Sequence, residues 1–421
     1  MSQVASKETE LSFEDTLERF ADLVVRVGLN LQPGQQLMVR AAVETAPFTR
    51  KVVETAYRAG APFVNVLWND DAVTLARFEH APRDSFELFP EWTRDALLAA
   101  AARGDAILTI YAADPELLKD QNSENVATVQ RVTQTEMRPF TEHIMNSDVN
   151  WCIVSVPIPS WAAKVFPHTT PEVAERKLWD AIFKTVRADR ADSGAAWQTH
   201  LANLEARRTY LTDKQYRALH YRAPGTDLTV GLADGHLWLG GTQPTQDGTV
   251  YVANLPTEEV FTMPHRERVD GTVRNSLPLS YVGNLIDGFE LTFKDGAVVD
   301  YKAERGAEVL EHLLETDEGA RHLGEVALVP HSSPISQSGI LYYNTLFDEN
   351  ASSHLALGRA YRFNVAGGTE MSEAEVTAAG ANDSLTHVDF MIGTADMDVD
   401  GVTDAGEREP VMRGGEWAFE V

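Results

Sequence analysis

The sequence is short of cysteine and of positive charge. One cysteine, Cys152, stands among 421 residues. An intrachain disulfide is therefore impossible, and a thiolate-rich zinc site is excluded. Cys152 lies between Trp151 and Ile153 in an apolar run and reads as a small core residue rather than a nucleophile. Lys and Arg total 36 against 63 Asp and Glu, for a formal net charge of -27. No basic cluster is available to neutralise phosphates, so nucleic acid is not an expected partner. An anionic membrane surface would repel the chain. Apolar runs of about 18 residues, the length a spanning helix needs, are missing. Met1 to Phe20 is acidic and lacks the basic start and apolar stretch of a signal peptide, so the cytoplasm is the expected compartment. No G-x-G-x-x-G or G-x-x-x-x-G-K-[ST] loop follows a strand-like run, which leaves a nucleotide reading without a phosphate cradle.

What is present divides in two. A chain this long exceeds the roughly 250–300 residues at which single cores stop growing, so two domains are expected. In the first half helical and strand patterns alternate. Helices are predicted over 13–27, 48–59 and 91–103, and strands over 36–39, 63–68, 105–111 and 150–158. That order suggests a mainly parallel sheet covered by helices. Two charged helices, 171–186 and 193–211, lead into a different texture. Short strands at 228–230, 236–239 and 249–253 are separated by Gly and Asp. Asp295-Gly296 between 289–293 and 297–301 is a hairpin signal. The expected architecture is an α/β domain over 1–205 followed by an α+β domain over 206–421 with a mainly antiparallel sheet.

Candidate metal ligands gather in three windows of the second half. The first is Asn254 to His265, with Glu258 and Glu259 after Pro256. On an extended chain only one of these two carboxylates faces a given site. The second runs from Glu325 through Asp348, Glu349, Asn350 and His354 to Tyr361. If 354–361 is helical, His354 and Tyr361 share a face. The third is His387 to Gly393, where Val388, Phe390 and Ile392 alternate with His387, Asp389 and Met391. A strand there puts His387 and Asp389 side by side over an apolar back face. Taken singly, each window reads more readily as a solvated polar turn or strand. Together they offer carboxylates and imidazoles without thiolate, which suits zinc, cobalt or manganese in a site with open positions. Bridging carboxylates can hold such cations about 3.5–4 Å apart, where they ionise water and polarise a carbonyl.

Asp396, Asp398, Asp400, Gly401 and Glu407 fit a calcium-loop spacing. The context argues against it: an EF-hand needs flanking helices, whereas a strand-like run precedes and Pro410 follows. An acidic hairpin is expected, with a calcium-binding interaction protein as the non-enzymatic rival.

The longer motifs carry a resemblance. In the first half they are Gly28-Leu-Asn-Leu-Gln-Pro-Gly-Gln35 and Ala56-Tyr-Arg-Ala-Gly-Ala61. In the second they are Pro256-Thr-Glu-Glu-Val-Phe-Thr262, Ser333-Pro-Ile-Ser336, Thr345-Leu-Phe-Asp-Glu-Asn-Ala351, His354-Leu-Ala-Leu-Gly358 and His387-Val-Asp-Phe-Met-Ile-Gly393. Over nearly its whole length the chain resembles the aminopeptidase T / aminopeptidase S family of thermophilic-type metalloaminopeptidases. The resemblance implies release of amino-terminal residues from peptides. It implies two divalent metal ions, of zinc, cobalt or magnesium type, held by Glu259, Glu325, Glu349, His354, His387 and Asp389. Of the Glu258–Glu259 pair it selects Glu259. Glu349 is either a ligand or the general base, and Tyr361 maps to a tyrosine that assists catalysis. A homodimer of two-domain subunits, acting on peptides, is also implied. A metal-dependent amidase or esterase acting on small molecules would use the same ligands, and a metallophosphohydrolase a similar pair.

Overall fold

The computed structural model describes residues 11–421. The reading of Met1–Phe20 as free of a leader falls, for its first ten residues, outside the described residues.

The first helix, Phe13–Leu23, starts where Ser12 accepts the Asp15 backbone N–H at 3.1 Å and Asp15 returns the bond, a reciprocal cap. Its buried face, Leu17, Phe20 and Leu23, joins the core that lies against a parallel sheet. In spatial order the sheet strands are Val64–Asn69, Leu37–Ala42, Ala106–Tyr111 and Trp151–Ser155. A fifth strand, Asn254–Leu255, crosses over from the second half and pairs parallel with Trp151–Ser155. One face of the sheet, including Val39, Leu108, Cys152 and Val154, is sealed in the larger core. On the other face Met38, Ile107 and Trp151 pack against Leu97 and Phe140. Cys152 is buried and free, and burial pushes its thiol pKa up, in keeping with a packing role.

The second half holds two antiparallel sheets. An eight-stranded sheet includes Ala218–Ala223, Thr226–Leu232, Pro264–Arg274 and the hairpin Glu290–Lys294/Ala297–Lys302. The hairpin turns at Asp295 and Gly296, both with positive φ (49° and 87°), as a two-residue turn of this hand requires. A four-stranded sheet, in the order Val260–Thr262, Leu323–Leu328, His354–Gly358 and His387–Met391, lies beside it. The α/β half with a parallel sheet and the α+β half with mainly antiparallel sheet are thus both present.

Three local expectations are corrected. Residues 354–361 are not helical: the helix Thr345–Ala351 ends before them, and His354–Gly358 is a fully buried strand. Five buried residues in a row, rich in Leu, suit the middle of a covered sheet. Residues 236–239 make only isolated bridges, His236 to Val365 and Leu239 to Phe261. Two helices, Asp71–His80 and Ser123–Met145, were not expected. The first buries none of its residues and the second only Val126, Phe140 and Met145, so neither has a strong apolar stripe. Asp398–Val402 and Arg408–Arg413 form the acidic hairpin in place of a helix-flanked loop. Its Asp400 is taken by Arg413 and Arg222, so those oxygens are not held for calcium.

Candidate metal centre

The four-stranded sheet builds the site by its period of two. Val260, Val326, Leu355, Leu357, Val388 and Phe390 face the core behind it. The alternate residues therefore face forward: Glu259, Glu325, His354, His387 and Asp389. Register sets their spacing. Ala356 pairs with Glu325 on one side and with Asp389 on the other. A small side chain at the centre of that row leaves room for the two carboxylates to converge above it. Gly358, opposite His387, has φ +106°, and a Cβ there would lie 2.1 Å from the Thr386 carbonyl oxygen, so only glycine fits.

Two groups of potential ligand atoms result, Glu259–Glu325–His354 and Glu325–His387–Asp389, each with its atoms within 4.8 Å of one another. Glu325 belongs to both. Its Oε1 lies 3.5 Å from His354 Nε2 and its Oε2 lies 3.7 Å from His387 Nε2. Glu349 reaches the same pocket from the buried helix Thr345–Ala351, and Tyr361 from the loop after Gly358. All seven residues singled out from the sequence line one pocket. Within the first window, Glu259 enters it and Glu258 turns away to Arg187.

Whether the site fits cations can be judged from its chemistry. Both imidazoles are oriented by backbone. His354 Nδ1 lies 3.0 Å from the Glu349 and Ser352 carbonyl oxygens, and His387 Nδ1 lies 2.7 Å from that of Arg359. An Nδ1–H donated to these carbonyls leaves each Nε2 lone pair pointing into the pocket, the tautomer a metal ligand needs. Glu259 Oε2 is 2.9 Å from His354 Nε2, yet it is buried and accepts no hydrogen bond. Four carboxylates face two imidazoles. The crowding shows in their protonation: burial, then Asp389 and Glu259, push Glu349 well above the usual carboxylate range. The surrounding carboxylates raise His354 well above the ordinary imidazole value, and His387 to about 9, against the opposing effect of burial. Cations would relieve that excess of negative charge. Burial and the same carboxylates hold the Tyr361 hydroxyl well above its usual pKa, so it remains a donor. Its ring stands edge-on to His387 at 4.8 Å.

The first half of the chain contributes Trp151 to the pocket. Trp151 and Asn254, from adjacent strands of the parallel sheet, line the same pocket, with Gly240, Thr242 and Phe261. Asn254 lay inside the first window without being assigned a role. Trp151 carried no signal, because its place depends on pairing between distant strands.

The imidazole–carboxylate cluster on the buried four-stranded sheet is a set of donors that could hold metal ions. The family model described as thermophilic metalloprotease (M29) matches residues 13–417, and the chain belongs to that family. It is 51% identical to Aminopeptidase 2 of Geobacillus stearothermophilus, over 97% of this chain and 99% of that one. It is 45% identical to Aminopeptidase T of Thermus thermophilus, over 96% and 99%. A solved structure, wild-type AmpT from Thermus thermophilus, superimposes with a TM-score of 0.89 at 44% identity, covering 97% of this chain and 100% of that one. Membership implies a divalent metal cofactor and a peptide-hydrolysing activity.

Proposed function

We propose that the chain is an aminopeptidase that releases amino-terminal residues from peptides with the help of two divalent cations. The observation that carries this reading is the sharing of Glu325 between two ligand groups, each with its own imidazole. Glu259, Glu325 and His354 would hold one cation; Glu325, His387 and Asp389 would hold the other, with Glu349 as a further ligand or as the base. The donor set suits zinc, cobalt or a magnesium-type ion. When bound, the cations supply an activated water and Lewis acidity toward the scissile carbonyl.

The remaining work falls to side chains. If Glu349 is the base rather than a ligand, it would take the proton of the attacking water and pass it to the leaving amine. Tyr361 donates to the oxygen that becomes negative at the tetrahedral stage. Backbone carbonyls at Glu349, Ser352 and Arg359 keep both imidazoles in their ligating tautomer. The names of the relatives support the choice of peptide amino termini over other amides.

The division into 1–205 and 206–421 belongs to this proposal; the second main core is built from Leu204 onward, while the first also takes in Leu255, Tyr342 and Phe347. Residue 206 lies in the helix Ser193–Lys214, whose Trp197 packs in the first core and whose Leu204 and Leu211 pack in the second. Homodimerisation and a cytoplasmic location rest on the resemblance and on composition. Among the described residues no helix is long and apolar enough to cross a membrane.

The test compares a leucyl peptide amide with its N-acetylated form on metal-loaded protein. Cleavage of the free form alone is expected. Equal cleavage of both would favour a general amidase.

A further inference from the structure

One row of the parallel sheet is unlike the rest. Pairing aligns Leu67, Arg40, Thr109, Ile153 and Asn254 across all five strands. Neighbours in a row point to the same face, so these side chains share one side of the sheet. A parallel sheet is ordinarily covered on both faces. Two residues earlier along the strands, Met38, Ile107 and Trp151 are buried, and so are Val39, Leu108, Cys152 and Val154 on the reverse face. In the odd row Arg40 is exposed, and Leu67, Thr109, Ile153 and Asn254 are only half-buried. Arg40 therefore stands on the same face of the sheet as Asn254, which lies in the wall of the metal pocket.

Arg40 and Asn254 each carry an unused polar group. Asn254 Oδ1 is buried with no hydrogen-bond partner among the described residues. Arg40 makes no ion pair among the described residues, and burial alone acts on its guanidinium, lowering its pKa. It is thus reachable by solvent while the surrounding protein takes part of its hydration. An exposed guanidinium without an ion pair is free to bind an anionic group from outside the fold. In a chain of net charge -27, a lone cation there also focuses an anion from solution.

We infer that Arg40 is the anchor for the C-terminal carboxylate of short peptide substrates, whose amino end lies at Asn254 beside the metal pocket. This rests on the aminopeptidase reading and specifies its substrate class. A planar guanidinium matches a carboxylate with two parallel hydrogen bonds. Three strand spacings separate Arg40 from Asn254, about 14 Å between Cα atoms. An extended peptide covers about 3.3–3.6 Å per residue, so the span accommodates about four residues. Peptides of about this length deliver their carboxylate to Arg40, whereas dipeptides fall short of it.

The experiment measures kcat/KM on metal-loaded protein for leucyl-glycine peptides of two to eight residues, each as free acid and as C-terminal amide. Wild type is expected to favour the acid over the amide by about ten- to a hundredfold near four residues, chiefly through KM. The preference should be small for dipeptides. In R40Q the acid-to-amide ratio should collapse toward one, and R40K should restore part of it. A wild-type ratio of one at every length overturns the anchor without any variant, and so does an unchanged ratio in R40Q. Failure of the aminopeptidase reading has a separate signature: no peptide is cleaved at all. Calorimetric binding of the tetrapeptide acid and amide then decides on Arg40, with tighter binding of the acid to wild type supporting it and equal binding refuting it.

Discussion

Arg187 Nη2 lies 2.7 Å from Glu258 Oε1, and the two side chains are 13% and 6% exposed. This buried ion pair stands directly behind Glu259. Its geometry is held from several sides. Arg187 has a left-handed backbone (φ 59°), its guanidinium lies 5.2 Å from the Trp197 ring, and the Glu258 backbone N–H donates to Asn350 Oδ1 at 2.7 Å. The pair fixes which of two adjacent carboxylates enters the pocket.

Replacing Arg187 with Met leaves Glu258 buried without its partner, which should cost about 3–5 kcal/mol. Burial already pushes Glu258 to about 7, with Arg187 pulling the other way. A pKa raised on folding means that stability is lost as pH rises through this range. The R187M defect should therefore be worst in alkaline buffer and shrink below pH 7, and adding E258Q should recover part of it. Thermal unfolding across pH checks both points. A defect independent of pH would show that lost packing dominates.

His200 gives the opposite pH slope. Burial, reinforced by Arg187, pushes its pKa down to about 4, while Nε2 lies 2.7 Å from the Thr257 carbonyl oxygen. Between the ordinary imidazole value and pH 4 the unfolded chain takes a proton that the folded chain refuses. Stability should fall on acidification over that window, by at most about 1.4 kcal/mol per pH unit. Subtracting the H200Q profile from wild type isolates this slope from that of Glu258. Parallel profiles would exclude His200 as its source.

Glu325 and Glu349 should separate metal binding from proton transfer. Glu325→Gln removes a carboxylate common to both ligand groups, so metal content should drop along with activity. If Glu349 is the base, Glu349→Gln should keep its metal and lose about 10²–10⁴ in kcat. Loss of metal in that variant makes it a ligand instead. Metal content per chain, measured by atomic emission beside kcat, distinguishes the cases.

Tyr361→Phe should lower kcat by about 10²–10³, the usual effect of removing one donor to an oxyanion. Metal content and KM should stay near wild type. A change confined to KM would make Tyr361 a binding residue.

Much of this site was readable where local periodicity governs. His387-x-Asp389 over Val388 and Phe390 reads as a strand face, and the structure has it so. Alternation likewise allowed only one of Glu258 and Glu259 into the pocket. The pattern could not say which, because the choice depends on Arg187, 71 positions upstream. A helix would have put His354 and Tyr361 on one face at their seven-residue spacing; a strand and a loop bring them together instead. Its apolar residues Leu355 and Leu357 alternate, but helix and strand compete over so short a run. Long-range pairing was invisible for the same reason. Asn254–Leu255 is two residues long and joins a sheet whose neighbouring strand lies about a hundred positions earlier, as in any fold dominated by non-local contacts. The alignment of Arg40 with Asn254 exists only once that strand is in place.

The most direct test is a titration of chelated protein with Co²⁺ or Zn²⁺, recording hydrolysis of leucine p-nitroanilide against metal added per chain. The account predicts no hydrolysis before metal is added and full activity at two equivalents. Full activity in the metal-free protein, or saturation with no more than a trace of bound cation, would contradict it.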